Sequence, residues 1–252
     1  MSTKKKFNEE SLHKSLEYLK MQSVMENYNP MAKKAASKQW SYPAYLSELL
    51  EEEVNQRQDR RIQRRIRAAR FPVTKTLDEF NWNCPDKINR LQVQDLFRPK
   101  FVEEKSNVIF VGTVGLGKSH LAVALGYQAC LQGKSVLFAS AIDIVNTLTV
   151  AQNNGMLKAA LRKYATPSVL IIDELGYLPI NRKGGNLLFQ VITQRYEQGS
   201  IILTTNKTFK QWSEIFDNDS ILTSAVLDRL LHHATSVLIE GNSYRMKDRI
   251  EL

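Results

Sequence analysis

A glycine-rich loop between two apolar runs carries the residues best suited to chemistry. The stretch contains Gly112-x-x-x-x-Gly117-Lys118-Ser119, with a strand pattern before it and a helix pattern after it. Glycines let backbone amides face phosphate oxygens, the lysine places its charge on the β- and γ-phosphates, and the hydroxyl ligates Mg²⁺. We therefore predict an ATP-binding loop formed by Gly112, Thr113, Val114, Gly115, Leu116, Gly117, Lys118, Ser119 and His120. The histidine is expected to hold this loop to the sheet.

Two carboxylates follow a later apolar strand and complete this chemistry. In "VLIIDE", Asp173 is placed to hold Mg²⁺ together with Ser119, and Glu174 is placed to orient or deprotonate an attacking water. An acidic pair there favours ATP hydrolysis over phosphoryl transfer to a metabolite. Asn206 ends the strand "ILTTN", where its amide could contact the γ-phosphate or the water, or could simply form a strand-end turn.

A catalytic arginine is the remaining requirement, because phosphoryl transfer is aided by a guanidinium near the transferred group. Arg229 in "SAVLDRLLHHA" is the first candidate, although Asp228 could instead hold it in a surface ion pair, and Arg195 and Arg245 are weaker candidates. His232 and His233 are expected to point about 100° apart on a helix. Since no acidic or thiol cluster accompanies them, they are interpreted as surface or interface histidines.

Charge is concentrated at one end of the chain. The net charge is +9, and residues 1–70 carry 15 basic against 9 acidic side chains. "QRQDRRIQRRIRAAR" predicts an amphipathic helix whose guanidinium face suits a duplex phosphate backbone, although a solvated charged face or a protein-docking face would share this pattern. A second basic segment lies in a region with room for two helices. The candidate DNA-binding residues are Arg57, Arg60, Arg61, Arg64, Arg65, Arg67, Lys158, Arg162 and Lys163.

The elements that must position these residues form two predicted domains. Residues 1–70 read as helices, with Pro30 expected to end the first and Pro72 closing the segment. Residues 71–252 form an ATPase domain, in which 71–105 is a connector that buries Leu77, Phe80, Trp82, Leu91 and Phe97. The runs "NVIFVG", "SVLFAS", "SVLIIDEL", "SIILTTN" and "SVLIEG" alternate with helix patterns, which predicts an α/β fold with a five-stranded parallel sheet.

Composition excludes two other classes. No run of apolar residues is long enough for a membrane span, and the basic N-terminus lacks the apolar run of a secretory signal. Two scattered cysteines fit neither a disulfide framework nor a metal cluster, which is typical of a cytoplasmic protein.

Several motifs together resemble the IstB family, the helper ATPases of IS21-type insertion sequences, which are similar to the DnaC/DnaI helicase loaders. They are "GKSHLAVALG", "LIIDELGYLPI", "NLLFQVITQRYE", "IILTTNKTFKQWSEIF", "AVLDRLLHHATSVLIEGNSYRMK" and "RRIRAARFPVTKTLDEFNW". The resemblance implies an AAA+ P-loop ATPase after a small all-α domain. This chain is expected to depart from many AAA+ proteins in having no or only a minimal helical lid, because the last strand pattern lies close to Leu252.

The resemblance also implies partners. It implies a homo-oligomer with ATP at subunit interfaces, in which Arg229 acts on a neighbouring subunit's ATP, and a bacterial protein associated with the nucleoid when bound to DNA. The implied task is to assemble on double-stranded target DNA with ATP and Mg²⁺, deform the DNA, and recruit and stimulate the cognate transposase. A helicase loader that grips a replicative helicase is the alternative.

Overall fold

A computed structural model of the protein describes residues 8–98 and 100–244. These form two compact units that divide between Gln63 and Arg64, inside a long helix, whereas the sequence patterns placed the boundary at residue 70. The first unit contains α1 (Glu9–Tyr18), α2 (Gln22–Ser37) and most of α3 (Tyr42–Ala69). Leu16, Val24 and Leu49 form its buried cluster. No helix in the described ranges is long and apolar enough to cross a membrane.

The break between the first two helices differs from the sequence prediction. Pro30 was expected to end a helix, but it lies inside α2, and the chain instead turns at Lys20, whose φ is +53°. A proline within a helix removes one backbone hydrogen bond. Packing offsets this loss, because Met25 and Met31 on either side of Pro30 contact the buried cluster.

Glu53 on α3 supplies the cap that α2 lacks. The residue preceding α2 makes no side-chain cap, and the amides of Ser23 and Val24 donate to Glu53 Oε2 at 2.8 and 3.3 Å. Arg57 Nε donates to Glu53 Oε1 at 2.6 Å. Burial alone would raise the pKa of Glu53, but the hydrogen bonds from Arg57 and the two amides outweigh it and lower the pKa.

The second unit is a sheet with helices on both faces. Its helices are α4 (Arg90–Leu96), α5 (Lys100–Glu103), α6 (Lys118–Leu131), α7 (Ala141–Asn153), α8 (Leu157–Ala165), α9 (Arg182–Arg195) and α10 (Ser220–Leu231), with a 3₁₀ helix at Phe209–Phe216. Its strands are β1 (Lys87–Ile88), β2 (Asn107–Gly112), β3 (Val136–Ser140), β4 (Val169–Leu175), β5 (Ser200–Thr205) and β6 (Ala234–Glu240).

The sheet has the order β1-β6-β2-β5-β4-β3. Strands β2 to β6 are parallel, as predicted, and β1 pairs antiparallel with β6 at one edge. The predicted sheet of five strands was therefore one strand short, because a two-residue strand leaves no alternating pattern in a sequence.

Both faces of the central strands β2, β4 and β5 are buried. On β2, Ile109 and Val111 join the cluster formed with α7, α9 and α10, whereas Val108 and Phe110 join the cluster formed with α6. This explains why these three strands are almost continuously apolar, whereas β6 alternates buried and exposed residues. The predicted pair of helices between β3 and β4 is confirmed as α7 and α8.

The connector packs on the α6 side of the sheet, with one exception. Phe80 is buried there, and Leu77, Trp82 and Phe97 pack against the same cluster. Leu91, which was also expected to be buried, is 78% exposed. It lies on the short helix α4, which buries Val93 and Leu96 on its opposite side.

Candidate functional site

The phosphate loop lies between the end of β2 and the start of α6. Gly115 and Gly117 both have φ of +82°, a conformation that side chains with a Cβ rarely adopt. A methyl group at Gly117 would also lie 2.6 Å from the Phe80 ring, and one at Gly112 would lie 2.2 Å from the Ile239 carbonyl oxygen. The loop thus requires glycine for its conformation at Gly115 and Gly117, and for space at Gly112 and Gly117.

Lys118 is the first residue of α6, and no side chain caps this helix. The first amides of an uncapped helix remain available to an anion, and the helix dipole favours negative charge there. The Lys118 side chain is buried, and its Nζ donates to the Thr113 carbonyl at 2.6 Å. The ammonium is therefore folded over the loop, where phosphate oxygens would bind.

Asp173 and Ser119 meet at the end of β4, as the metal assignment requires. Ser119 Oγ donates to Asp173 Oδ1 at 2.8 Å, and Thr204 Oγ1 donates to the same oxygen at 2.5 Å. Thr204 had not been singled out from the sequence. Its position could have indicated this role, because Thr204 lies near the end of the neighbouring strand β5, two residues before Asn206.

Glu174 is turned away from its neighbour by an irregularity in β4. The register with β5 shifts between Ile172 and Leu175, and Glu174 has a left-handed φ of +61°. Its amide donates to Thr204 Oγ1 at 2.9 Å, while its side chain is exposed. The bulge therefore separates a buried carboxylate that suits a metal from an exposed carboxylate that water can reach.

Asn206 follows β5 and approaches the end of β4. Its Oδ1 lies 3.1 Å from the point that a methyl group at Gly176 would occupy. This oxygen is buried and accepts no hydrogen bond from any residue the structure describes. A buried acceptor without a donor is costly, so the position fits a bound water or ligand group that donates to it.

Two further segments hold the loop in place. His120 Nε2 donates to the Thr76 carbonyl at 2.8 Å, and its ring packs edge-on against Phe80. It thus anchors α6 to the connector rather than to the sheet, and its Nε2 is engaged by the Thr76 carbonyl. After β6, the Tyr244 amide donates to the Gly115 carbonyl at 3.1 Å. The sequence patterns did not indicate this contact between the chain after β6 and the phosphate loop.

Arg229 lies at the end of the sheet where the parallel strands begin, opposite the end that carries the phosphate loop. The Asn107 side chain at the start of β2 donates to the carbonyl of Leu230, the residue after Arg229, at 2.9 Å. The phosphate loop begins after Gly112, five residues along the strand, or about 17 Å away. The guanidinium stacks 4.7 Å from the Phe189 ring centroid, and no ion pair joins it to Asp228 in the described ranges.

The weaker arginine candidates differ from Arg229. Arg195 is 1% exposed, so it cannot reach another molecule, and the sequence-based suggestion that it could supply a catalytic guanidinium was wrong. Its guanidinium donates to five carbonyl oxygens, those of Tyr164, Ala165, Pro167, Ser168 and Ser200. Burial lowers its pKa to about 10. Arg245 lies outside the described residues.

The arginines of α3 fall into two groups. Arg57 and Arg65 are partly buried and contact other residues: Arg57 binds Glu53 and the carbonyls of Leu19 and Lys20, and Arg65 lies beside Gly133 after α6. The others are exposed: Arg60, Arg61, Arg64 and Arg67. Lys158, Arg162 and Lys163 are also exposed, on α8.

The two adjacent histidines do not point apart as expected. Their ring centroids are 4.1 Å apart, because α10 ends at Leu231 and His233 lies beyond the helix. An acidic residue, Glu197, also joins them, which corrects the expectation that no such residue accompanies the pair. Glu197 comes from the loop after α9, so no sequence pattern indicated this neighbour.

Comparison with known proteins places these features in a family. Residues 14–251 match the family described as IstB-like ATP binding protein. The ATP-binding protein named for insertion sequence IS5376 of Geobacillus stearothermophilus is 39% identical over 95% of each chain. The one named for insertion sequence IS21 of Pseudomonas aeruginosa is 41% identical over 93% of this chain and 88% of that relative.

Solved structures agree on the fold. A DNA replication initiation factor is 25% identical with a TM-score of 0.54, covering 70% of this chain and 53% of its own. The DnaC helicase loader is 24% identical with a TM-score of 0.54, covering 66% of this chain and 96% of its own. The chain therefore belongs to the IstB-like ATP binding protein family, and it is an AAA+ P-loop ATPase.

Proposed function

We propose that this ATPase assembles on double-stranded target DNA, deforms it in an ATP-dependent manner, and recruits and stimulates the transposase of its insertion sequence. It would act at the bacterial nucleoid. The names of its relatives support a role in insertion sequences. The observation that carries the DNA-binding part is the exposed arginine face of α3, formed by Arg60, Arg64 and Arg67.

The spacing of these arginines suits a phosphate backbone. At 100° per residue they lie within an arc of about 60°, and they span about 10.5 Å along the helix, or about three base-pair steps along one strand. Neighbouring Arg61 and Arg64 form no ion pair with an acidic side chain anywhere in the described ranges. The charges of Arg61 and Arg64 are therefore available to an anionic partner, whereas Arg60 Nη2 lies 4.0 Å from Glu53 Oε1. The exposed cations of α8 are a second proposed contact.

The site residues fit ATP and Mg²⁺. We assign the phosphates to Lys118 and the loop amides, and the metal to Ser119 Oγ and the Asp173 carboxylate, which lie within 2.8 Å of each other. Oxygen donors are the ligands that Mg²⁺ prefers, and the bound ion would offset charge on the β- and γ-phosphate oxygens.

The remaining residues would act on the attacking water. The exposed Glu174 carboxylate would accept its proton, and the Asn206 amide, whose buried oxygen lacks a donor, would orient it against the γ-phosphate. Arg229 would reach the transferred group from a neighbouring subunit, because in its own subunit it lies at the end of the sheet opposite the ATP site. This arrangement requires a homo-oligomer with ATP at the subunit interfaces.

The DNA-binding assignment is tested by replacing Arg60, Arg64 and Arg67 with alanine and measuring duplex binding over a range of salt concentrations. Each phosphate contact contributes about 0.9 to the slope of log K against log salt, so the slope should fall by about 2.7. Affinity at about 0.1 M salt should drop by two to three orders of magnitude. The matched control removes the same number of positive charges near the end of α2: Lys33, Lys34 and Lys38, all exposed, are replaced with alanine.

Two outcomes decide the assignment. If the arginine variant loses DNA affinity and the lysine variant keeps it, the arginine face is the DNA contact. If both variants bind duplex DNA like the wild type, the proposal is wrong, and a pull-down with the cognate transposase would then show whether the arginine face docks a protein. DNA deformation is followed separately, by fluorescence transfer between labelled duplex ends with ATP and with ADP.

A further inference from the structure

Glu197, His232 and His233 form a cluster that the ATPase chemistry does not use. One potential ligand atom from each side chain lies within 4.8 Å of the other two, and all three residues are exposed. Glu197 follows α9, and the two histidines follow α10, so the cluster joins two chain segments at the edge of the sheet where the strands begin.

The backbone holds these residues firmly. His232 is the C-cap of α10, and its amide donates to the Asp228 carbonyl. The His233 carbonyl accepts a hydrogen bond of 2.7 Å from the amide of Asn107, the first residue of β2. Glu197 has a left-handed φ of +57° in the turn that leads into β5. The side chains of the cluster are therefore exposed, while hydrogen bonds hold the main chain of His232 and His233 in place.

A neighbouring tyrosine orients one of the imidazoles. The Tyr196 hydroxyl lies 3.0 Å from His232 Nδ1, which leaves Nε2 as the nitrogen that can bind a metal. Histidine ligands in metal sites commonly use their second nitrogen in such a hydrogen bond, which fixes the tautomer and the ring orientation. The centroids of the two imidazole rings are 4.1 Å apart, and the planes of the rings are inclined at 61°.

We propose that Glu197, His232 and His233 bind a divalent transition metal, with Zn²⁺ the best match. Two imidazoles and one carboxylate are a common three-ligand set for zinc, which leaves a fourth position for water or another ligand. Mg²⁺ and Ca²⁺ prefer all-oxygen sites. At Zn–N distances of about 2.0 Å, tetrahedral ligands are about 3.3 Å apart, so the side chains must move inward by about 1 Å, which their exposure permits.

Nearby charges set the strength of the site. Arg229 and Lys105 line the same small surface cavity as Glu197 and His233, and they oppose a cation. Asp228 contributes the opposite charge on the last turn of α10. The site has only three protein ligands, and charges of both signs surround it. We therefore expect it to bind the metal reversibly, unlike the structural zinc sites with four ligands on which the folding of a domain depends.

The proposal is tested by titrating the full chain, stripped of metal with a chelator, with Co²⁺ and following its visible absorption. Excess Mg²⁺ is present to fill oxygen-ligand sites, and nucleotide is omitted. One equivalent of Co²⁺ should bind and be displaced by Zn²⁺. Glu197→Gln, His232→Ala and His233→Ala should each weaken binding at least tenfold, whereas His13→Gln, in the first unit, should leave it unchanged.

The assay distinguishes a specific site from surface imidazoles. Equal Co²⁺ affinity in the wild type and in the His232→Ala/His233→Ala double variant would overturn the proposal, as would failure of the wild type to bind a stoichiometric equivalent. Far-ultraviolet circular dichroism checks that the variants fold. Glu197→Gln, an exposed and nearly isosteric change, provides a test that does not depend on the histidine variants. Binding is measured without ATP or DNA, so it is independent of the function proposed above.

Discussion

A mixing experiment tests whether Arg229 serves the ATP site of another subunit. Glu174→Gln should bind ATP and assemble without hydrolysing it, because Lys118, Ser119 and Asp173 are intact. Arg229→Ala should keep a complete ATP site but lack the guanidinium. Within one molecule the residue after the arginine contacts the start of β2, and the phosphate loop follows the other end of this strand, about 17 Å away. We expect each variant to be inactive alone and their mixture to hydrolyse ATP.

The magnitude follows from counting junctions. A productive junction pairs the ATP site of an Arg229→Ala subunit with the arginine of a Glu174→Gln subunit. If subunits mix at random and x is the fraction of one variant, productive junctions occur with frequency x(1 − x). Equal amounts should therefore give about one quarter of the wild-type turnover per subunit. An arginine acting on its own ATP would give no recovery at any ratio.

The assay is steady-state phosphate release at constant total protein, with duplex DNA present. A dilution series of wild type with Glu174→Gln is the matched control, and its rate should fall linearly because every wild-type site meets an intact arginine. The variant mixture should instead give a curve with its maximum at equal amounts. Pull-down of an untagged variant by a tagged one confirms mixed assembly. Mixed assemblies without recovered turnover would refute the assignment of Arg229.

Two further predictions concern stability. Arg195→Ala should lower the free energy of unfolding by about 3–5 kcal/mol, since five carbonyls lose a buried cationic donor; a loss below about 1 kcal/mol in urea denaturation would contradict this. Glu53 has a lowered pKa when folded, so its stabilising contribution is present above its unfolded pKa and is lost as pH falls through the folded value. Acid denaturation followed by circular dichroism should therefore show a smaller loss of stability on acidification in Glu53→Gln than in wild type, and identical pH dependence would argue against a role for this carboxyl.

Local pattern was enough for much of the ATP site. The strand before Gly112, the helix after Ser119 and the strand before Asp173 each have an apolar run with a polar residue at its end, so their type and order could be predicted. Parallel strands then bring their polar ends to one edge of the sheet. Contacts such as the hydrogen bond from Ser119 to Asp173 follow from this topology, because the motif residues lie where the strands end.

Features that depend on tertiary packing were missed. Nothing local distinguishes the buried Arg195 from the half-buried Arg229, since both lie at the ends of amphipathic helices. Pro30 is tolerated because methionines around it contact a cluster assembled from three helices. Glu197 and the paired histidines come together only after α9 and α10 have packed on the sheet.

Glu174 and Arg229 lie at opposite ends of the strands of one sheet. Each molecule therefore has an ATP-site end and an arginine end. Copies joined by placing one molecule's arginine against the next molecule's ATP site must all face the same way. Such a contact pairs two different surfaces, so it closes into a ring or continues as a helical filament, and a two-fold dimer cannot satisfy it. In an open assembly one terminal subunit would hold ATP without an arginine donor. Nucleotide would then persist longest at that end, marking it chemically as distinct from the rest.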